Sequence, residues 1–248
     1  MTIPFDLSTL FIAALAVCAA YTVFGITAFG AALVSVPVLT HFYALDFVLP
    51  MCTMLDVSAA LAMGTRVSRE ADLSELKWLA PMAILGAVLG VTLLVNLPRQ
   101  ATLTAFGIFL IGYGVYMLRQ GSVLGLISRV WAPIAGIAGG TMGTLFGAAG
   151  PAYAIYLSRR LPDKHKLRAT LSTMALISTT SRALVFAVGG LLLADRLLMY
   201  VMLLPFALLG CLIGGKLHGR ISRNQVLRFM SVLLLFMGVS LLMRASDS

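Results

Sequence analysis

The sequence predicts an all-α, polytopic membrane protein made of two inverted-topology repeats, each a broken-helix hairpin followed by three transmembrane helices. Three observations predict this architecture: an extreme apolar composition, a division into ten apolar runs, and a repeat between the halves. The 248 residues are 60% hydrophobic and only 11% charged, with a mean hydropathy of +1.00. Soluble domains are about 45–50% apolar and about 25% charged, so we expect this chain to lie in a membrane.

Ten apolar runs leave no room for a soluble domain, because a bilayer-spanning helix takes about 20 mostly apolar residues. The runs lie at about residues 7–26, 29–43, 48–65, 78–96, 101–118, 131–147, 150–158, 168–192, 197–217 and 224–243. Two pairs, joined by the glycine-containing residues 24–30 and 143–151, are too short or too broken to be ordinary spans. Broken helices are tolerated in a bilayer only where protein or a water-filled cavity covers the freed backbone.

The two broken pairs occupy matching places in an internal repeat. Downstream of each break, a set of residues recurs at a constant offset: Pro81, Ala83, Leu85, Gly86, Gly90, Leu93, Arg99, Leu103, Leu110, Gly114 and Val115 return as Pro205, Ala207, Leu209, Gly210, Gly214, Leu217, Arg223, Leu227, Leu234, Gly238 and Val239. We therefore predict a first membrane repeat at residues 1–119, a cytoplasmic linker at 120–130 and a second membrane repeat at 131–248. Glycines four residues apart, as at Gly86 and Gly90, predict close packing of helices.

Basic residues decide between parallel and inverted repeats. If each broken pair enters and leaves on one side, the loops at 66–77, 119–130, 158–168 and 216–223 are cytoplasmic and hold most of the Lys and Arg. If each pair were a single span, the first two of these loops would face outward, against the positive-inside rule. The charges favour inverted repeats with both termini outside. The net charge of +9 thus reports orientation and lipid contact rather than nucleic-acid binding.

Signatures of enzymes and cofactor sites are missing from the sequence. It has no GxxxxGK[ST] phosphate loop, no HExxH and no GxSxG. Its three cysteines lie inside apolar runs and form neither a CxxC pair nor a cluster with histidine. We expect no enzyme activity, no cofactor and no metal site.

Two charged residues, Arg182 and Asp56, lie deep inside apolar runs. A charge at the bilayer centre costs about 2.5–3.5 kcal/mol on insertion scales, so such a residue faces a cavity or a partner. A guanidinium matches the oxygens of an oxyanion, which makes Arg182 the first candidate for binding an anion. The alternative is that the two residues only pair and hold two helices together. Asp56 is either a proton relay or a counter-ion.

The broken hairpins supply further candidates for an anion site. A helix N-terminus presents unpaired N–H groups and a partial positive charge, so half-helices that begin at Gly30 and Ala31, and at Gly147 to Gly150, would bind an anion near the midplane. Packing kinks are the alternative interpretation of both breaks. The remaining expected substrate-binding residues are hydroxylated or aromatic: Ser181, Thr180, Thr53, Thr170 and Tyr153. Tyr153 either faces the cavity or belongs to an interfacial aromatic belt.

A Phe-Gly motif followed by an apolar stretch and a proline occurs at residues 29–37, and residues 143–151 echo it near mid-chain. With the chain length, these motifs make the whole sequence similar to the TauE/SafE family of sulfite and organosulfonate exporters. The resemblance implies a multi-pass permease of the bacterial inner membrane that moves sulfite, sulfoacetate, thiosulfate or a related anion. Its expected partners are this small anion, membrane lipids and a second copy of the chain in a homodimer. An anion channel, an uptake permease and, with least support, an intramembrane enzyme are the alternatives.

Overall fold

The structure is a computed structural model that describes residues 7–27, 30–62, 70–118, 126–217 and 223–246. These ranges contain ten α-helices, one short 3₁₀ helix and no strand. The α-helices are α1 (Leu7–Thr27), α2 (Ala31–Leu39), α3 (Leu45–Ala62), α4 (Leu73–Asn96), α5 (Arg99–Leu118), α6 (Ala132–Phe146), α7 (Gly150–Ser158), α8 (Lys164–Val188), α9 (Ala194–Leu217) and α10 (Arg223–Ser246). Phe29 of the first motif and much of the predicted linker and of the basic loops lie outside the described ranges.

Each predicted apolar run corresponds to one helix, so the prediction of an all-α polytopic membrane protein is confirmed. Within the described ranges, five helices are long and apolar enough to cross a membrane: α1, α3, α4, α8 and α9. Large apolar side chains are exposed along α4 and α9, including Leu85, Leu89, Leu209 and Leu212. A lipid environment is the one in which such surfaces are stable.

Two helices begin four or five residues earlier than their apolar runs predict. Helix α4 begins five residues before its run because the Asp72 side chain accepts hydrogen bonds from the N–H groups of Ser74 and Glu75. Helix α8 begins four residues before its run because Asp163 accepts in the same way from His165 and Lys166. Such N-caps stabilise a helix end by about 1 kcal/mol. The helix therefore includes a polar first turn that hydropathy alone would leave out.

Small residues join the helices of the two halves in pairs. Gly136 of α6 faces Leu79 of α4, and Gly140 faces Ala83, one turn further along both helices, so α4 and α6 run parallel. A Cβ at Gly136 would lie 2.8 Å from the Leu79 carbonyl oxygen. Helices α1 and α9 pack in the same way. There, Gly210 faces Cys18, and Gly214 faces Thr22 and Gly25, so α1 and α9 also run parallel. Close backbone packing, which the glycine spacing predicts, is confirmed for both pairs.

The second broken pair begins and ends at one end of the molecule. The N–H of Ile127, just before α6, donates to the carbonyl of Arg159, just after α7, at 3.3 Å. Glu75 in the first turn of α4 bonds to side chains on both sides of this pair, Arg129 and Arg160. We call this the Glu75 end.

The opposite end is the Arg196 end, where the first turns of α9 and α3 meet through an Arg196–Asp46 ion pair of 3.1 Å. Since α1 runs parallel to α9, α1 and α3 begin at this same end, and the intervening α2 returns to it. Corresponding helices of the two halves therefore run in opposite directions in these segments. The two-repeat division, with its orientation in a membrane, stays a prediction.

Candidate functional site

The two charges predicted from the sequence form one buried ion pair. Nη2 of Arg182, in the C-terminal half of α8, lies 2.8 Å from Oδ2 of Asp56 on α3. The side chains are only 5% and 12% exposed, respectively. Among the alternatives left open by the sequence, pairing therefore occurs in this state of the molecule, and the pair joins the two halves of the chain.

Arg182 also bonds to the second break. Its Nη1 donates to the carbonyl oxygen of Gly143 at 2.5 Å, in the last turn of α6. The same carbonyl accepts from the N–H of Gly147, where the chain leaves the helix with a φ of 69°. The guanidinium is thus held between the carboxylate of Asp56 and a carbonyl in the last turn of α6.

Tyr21 is a site residue that the sequence analysis missed. This α1 residue is fully buried, and its hydroxyl donates to Oδ1 of Asp56 at 2.7 Å. Each carboxylate oxygen of Asp56 therefore has a donor, one from α1 and one from α8. A tyrosine inside an apolar run gives no signal of such a role, because its phenol reaches Asp56 only through the packing of α1 against α3.

One donor of Arg182 has no partner. In the part of the chain that the structure describes, its Nε is buried and makes no hydrogen bond. Unsatisfied buried donors are rare in folded proteins, and a charged donor without a hydrogen bond is costly. A guanidinium with a free Nε–H in an enclosed site has a donor left for a ligand oxygen.

The two broken hairpins touch beside this pair. A Cβ added to Gly147 would lie 2.5 Å from the Cβ of Ala32, in the first turn of α2. Gly30 precedes that turn with a φ of 92°, and Ala31 begins it, buried. Helix α7 begins at Gly150 on the other side of the contact. Four of the predicted backbone candidates therefore lie at the junction of the two hairpins.

The hydroxylated residues near Arg182 in the chain lie on different faces of α8. Thr180 is exposed and Ser181 is half-buried, and Thr180 lies roughly 200° around the helix from Arg182. Ser178, one turn before Arg182 on the same face, is buried and lies 3.2 Å from the hydroxyl of Tyr153. Tyr153 is 1% exposed, so it is not part of an interfacial belt. The four-residue spacing of a helix face would have selected Ser178.

The two predicted threonines have local partners. Thr53 is buried one turn before Asp56, and its hydroxyl donates to the carbonyl of Leu49 at 2.8 Å. Thr170 lies at the Glu75 end, about 18 Å along α8 from Arg182, and accepts from the N–H of Asp72 at 2.9 Å. The structure does not bring Thr170 to the central pair.

Asp72 fastens the start of α4 to the start of α8. Its carboxylate lies 3.0 Å from Nζ of Lys166. The hydrogen bond from Ser74 lowers the pKa of Asp72 to about 2, with Lys166 and the N–H of Glu75 adding to the effect against partial burial. The carboxylate is therefore charged throughout the physiological pH range.

An enclosed, charged centre at the junction of two broken helices is the arrangement found in secondary transporters. The comparisons with known proteins agree with that class. The family described as "Sulfite exporter TauE/SafE" matches residues 12–241, so the chain belongs to this family, as its motifs predicted, and is a membrane transporter. It is similar to the "Probable inner membrane transporter protein TsaS" of Comamonas testosteroni, with 27% identity over 190 residues that cover 76% of this chain and 80% of that protein. No solved structure matches the chain.

Proposed function

We propose that this protein is a secondary transporter that exports a small sulfur-containing anion, such as sulfite or a short organosulfonate, across the bacterial inner membrane by alternating access. The family description, a sulfite exporter, supports the substrate class and the direction. The Comamonas relative, a probable inner membrane transporter protein, supports the location. The observation that carries the residue assignment is the buried Arg182, with its unpartnered Nε beside the broken α6.

Anion binding at this site is an exchange of partners on the guanidinium. In the closed arrangement, Asp56 neutralises Arg182, and the Gly143 carbonyl takes a second N–H. An entering oxyanion bonds to Nε and displaces the carboxylate or the carbonyl. A sulfite or sulfonate group has three oxygens, two of which a guanidinium fork can bind in a bidentate manner. N–H groups in the first turn of α7 add further donors near Gly150.

The exchange also supports a coupling between binding and movement. Arg182 connects α3 of the first half with α6 of the second, and Gly147 touches α2 of the first half. A ligand that releases either bond changes how the halves are held together. The opposite directions of α1 and α6, and of α4 and α9, support inverted repeats whose relative rocking exposes the site alternately at the Glu75 end and at the Arg196 end.

The basic residues of the Glu75 end support a cytoplasmic position for it. An inside-negative potential then helps export, by about 2.3 kcal/mol per charge per 100 mV. Two roles for Asp56 remain in the proposal: it carries a proton along with the anion, or it is only the counter-ion of Arg182. A pH indicator inside proteoliposomes separates the two, because only the first role moves protons with the substrate.

The experiment is a binding measurement on the purified protein in detergent. Sulfite, sulfoacetate, taurine, thiosulfate, sulfate and chloride are compared by the rise in unfolding temperature, since a ligand of the folded state stabilises it. We expect one sulfur oxyanion or sulfonate to stabilise the wild type, and Arg182→Gln to lose that stabilisation. Arg196→Gln is the matched control, because Arg196 is also buried and paired with an aspartate, but at the Arg196 end.

Two outcomes would contradict the proposal. If Arg182→Gln, folded and monodisperse, is stabilised as much as the wild type, the anion binds elsewhere. If Arg196→Gln loses the response equally, the effect is general rather than local. In liposomes, a channel would conduct without counterflow of labelled substrate, and an uptake permease would be driven by an inward gradient of its coupling ion.

A further inference from the structure

A second group of guanidiniums surrounds a buried carboxylate at the Glu75 end. Glu75, in the first turn of α4, is 1% exposed. Its Oε1 accepts from Nε and Nη2 of Arg160, at 3.1 and 2.8 Å, and from Nε and Nη2 of Arg129, at 3.2 and 3.1 Å. The hydroxyl of Tyr156 donates to Oε2 at 2.6 Å. Five donor contacts therefore converge on one carboxylate.

The donors and the carboxylate come from different parts of the fold. Tyr156 belongs to α7, and the two arginines lie at the two feet of the hairpin formed by α6 and α7. Only Glu75 comes from α4. Arg160 also has an anchor within the hairpin, because it donates to the carbonyl of Ile127 at 3.1 Å. Arg129 makes its other bond to α4, to the hydroxyl of Ser74 at 3.1 Å. The hairpin thus carries a set of donors that α4 fills with a carboxylate.

The charge of the group exceeds what Glu75 neutralises. Two guanidiniums face one carboxylate, which leaves one positive charge in excess within the group. The Arg129 and Arg160 side chains are 45% and 24% exposed, so the group is open to the solution at this end of the molecule. Planar guanidinium forks with a hydroxyl fit any oxyanion that presents two or three oxygens.

We propose that Arg129, Arg160 and Tyr156 form a second oxyanion site, which the Glu75 carboxylate occupies as an internal ligand while the Glu75 end is closed. A free oxyanion takes the place of Glu75 and thereby breaks the ion pairs between the first turn of α4 and the two ends of the hairpin. Tyr153, one turn before Tyr156 on α7, lies 3.2 Å from the hydroxyl of Ser178 beside the central site, so an anion that enters from the Glu75 end meets the second site before Arg182. The inference depends on the proposed function only for the identity of the anion.

The test removes the internal ligand and measures anion binding. Glu75→Gln keeps the shape and an acceptor oxygen but removes the competing charge. In an Arg182→Gln background, which lacks the central site, we expect Glu75→Gln to restore binding of radiolabelled sulfite at one anion per chain. That binding is roughly tenfold or more tighter than in Arg182→Gln alone, because charge-assisted bonds to both arginines become available. Adding Arg160→Gln abolishes it.

Asp72→Asn is the matched control, since it removes a carboxylate paired with Lys166 at the same end. The inference is overturned if Glu75→Gln adds no sulfite binding to Arg182→Gln, or if Asp72→Asn adds as much. Should Glu75→Gln not fold, labelling of Arg160 by phenylglyoxal in the wild type and in Arg182→Gln replaces it, with sulfoacetate as the anion because sulfite adds to the reagent itself. Saturable protection by sulfoacetate in both proteins supports the second site, and no protection overturns it. If only the proposed function is wrong and the anion does not bind at Arg182, the wild type and Arg182→Gln bind sulfite equally.

Discussion

Asp56→Asn removes the negative charge of the central ion pair and leaves the positive charge of Arg182 in place. Asparagine keeps an oxygen that accepts from Tyr21, whose hydroxyl lies 2.7 Å from Oδ1, but it loses the charge that faces Arg182 at 2.8 Å. Removing one partner of a buried ion pair costs about 3–5 kcal/mol, because the other charge stays buried without compensation. We expect a loss of this size in the free energy of unfolding.

The structure also predicts that the transported anion restores much of this loss. With Asp56 neutral, an oxyanion on Arg182 no longer competes with a carboxylate. It binds more tightly than in the wild type, and at a hundred times its dissociation constant it adds about 2.7 kcal/mol. The assay is the unfolding temperature in detergent, with and without sulfite, for both proteins. A larger rise for Asp56→Asn than for the wild type is the expected result.

Asp46→Asn is the control for this experiment. Asp46 also pairs with a buried arginine, but its own side chain is 48% exposed, and pairs with an exposed partner contribute only about 0–1 kcal/mol. The reasoning is refuted if Asp56→Asn is as stable as the wild type, or if its response to sulfite is no larger. If Asp56→Asn does not fold, the Asp56→Asn, Arg182→Gln double variant must be more stable than it and must not respond to sulfite.

Two further predictions test the junction and the Glu75 end. Gly147→Ala should lower the unfolding temperature more than Gly190→Ala, because both glycines have a positive φ, of 69° and 68°, but only a Cβ at Gly147 meets the other hairpin. Equal losses would show that backbone strain alone matters. Asp72→Ala should cost about 1 kcal/mol at neutral pH through the lost helix cap. A lowered carboxyl pKa stabilises above the unfolded value and stops doing so below the folded one. Because a hydrogen bond from Ser74 lowers the pKa of Asp72 to about 2, the difference between wild type and variant should persist at pH 5 and shrink between about pH 4 and pH 2; a difference constant down to pH 2 would contradict it.

Apolar runs predicted the helices because, in a bilayer, a helix must satisfy its own backbone within an apolar segment. Glycine also marked both breaks correctly, at Gly30 and at Gly147, whereas Pro37 lies inside α2. The starts of α4 and α8 were placed too late, since Asp72 and Asp163 cap polar turns that hydropathy assigns to loops. An aspartate or serine before such a turn is the typical residue at a helix N-cap and predicts the earlier start.

The charged centre was predictable from cost alone, because Arg182 and Asp56 are too expensive to bury without a reason. The other groups that bond to this pair could not be predicted. Tyr21 and the Gly143 carbonyl reach the pair through contacts between distant segments, which no local pattern encodes. Glu75 escaped notice for a different reason: a glutamate in the first turn of a helix is the ordinary residue for that position, and only the fold shows it buried between two arginines.

The central claim is that Arg182 binds the transported anion, and counterflow in proteoliposomes tests it most directly. Liposomes loaded with unlabelled sulfite and diluted into labelled sulfite should accumulate label transiently when they contain the wild type or Arg196→Gln. The account predicts no accumulation with Arg182→Gln inserted at the same density. Counterflow at the wild-type rate with Arg182→Gln would contradict it.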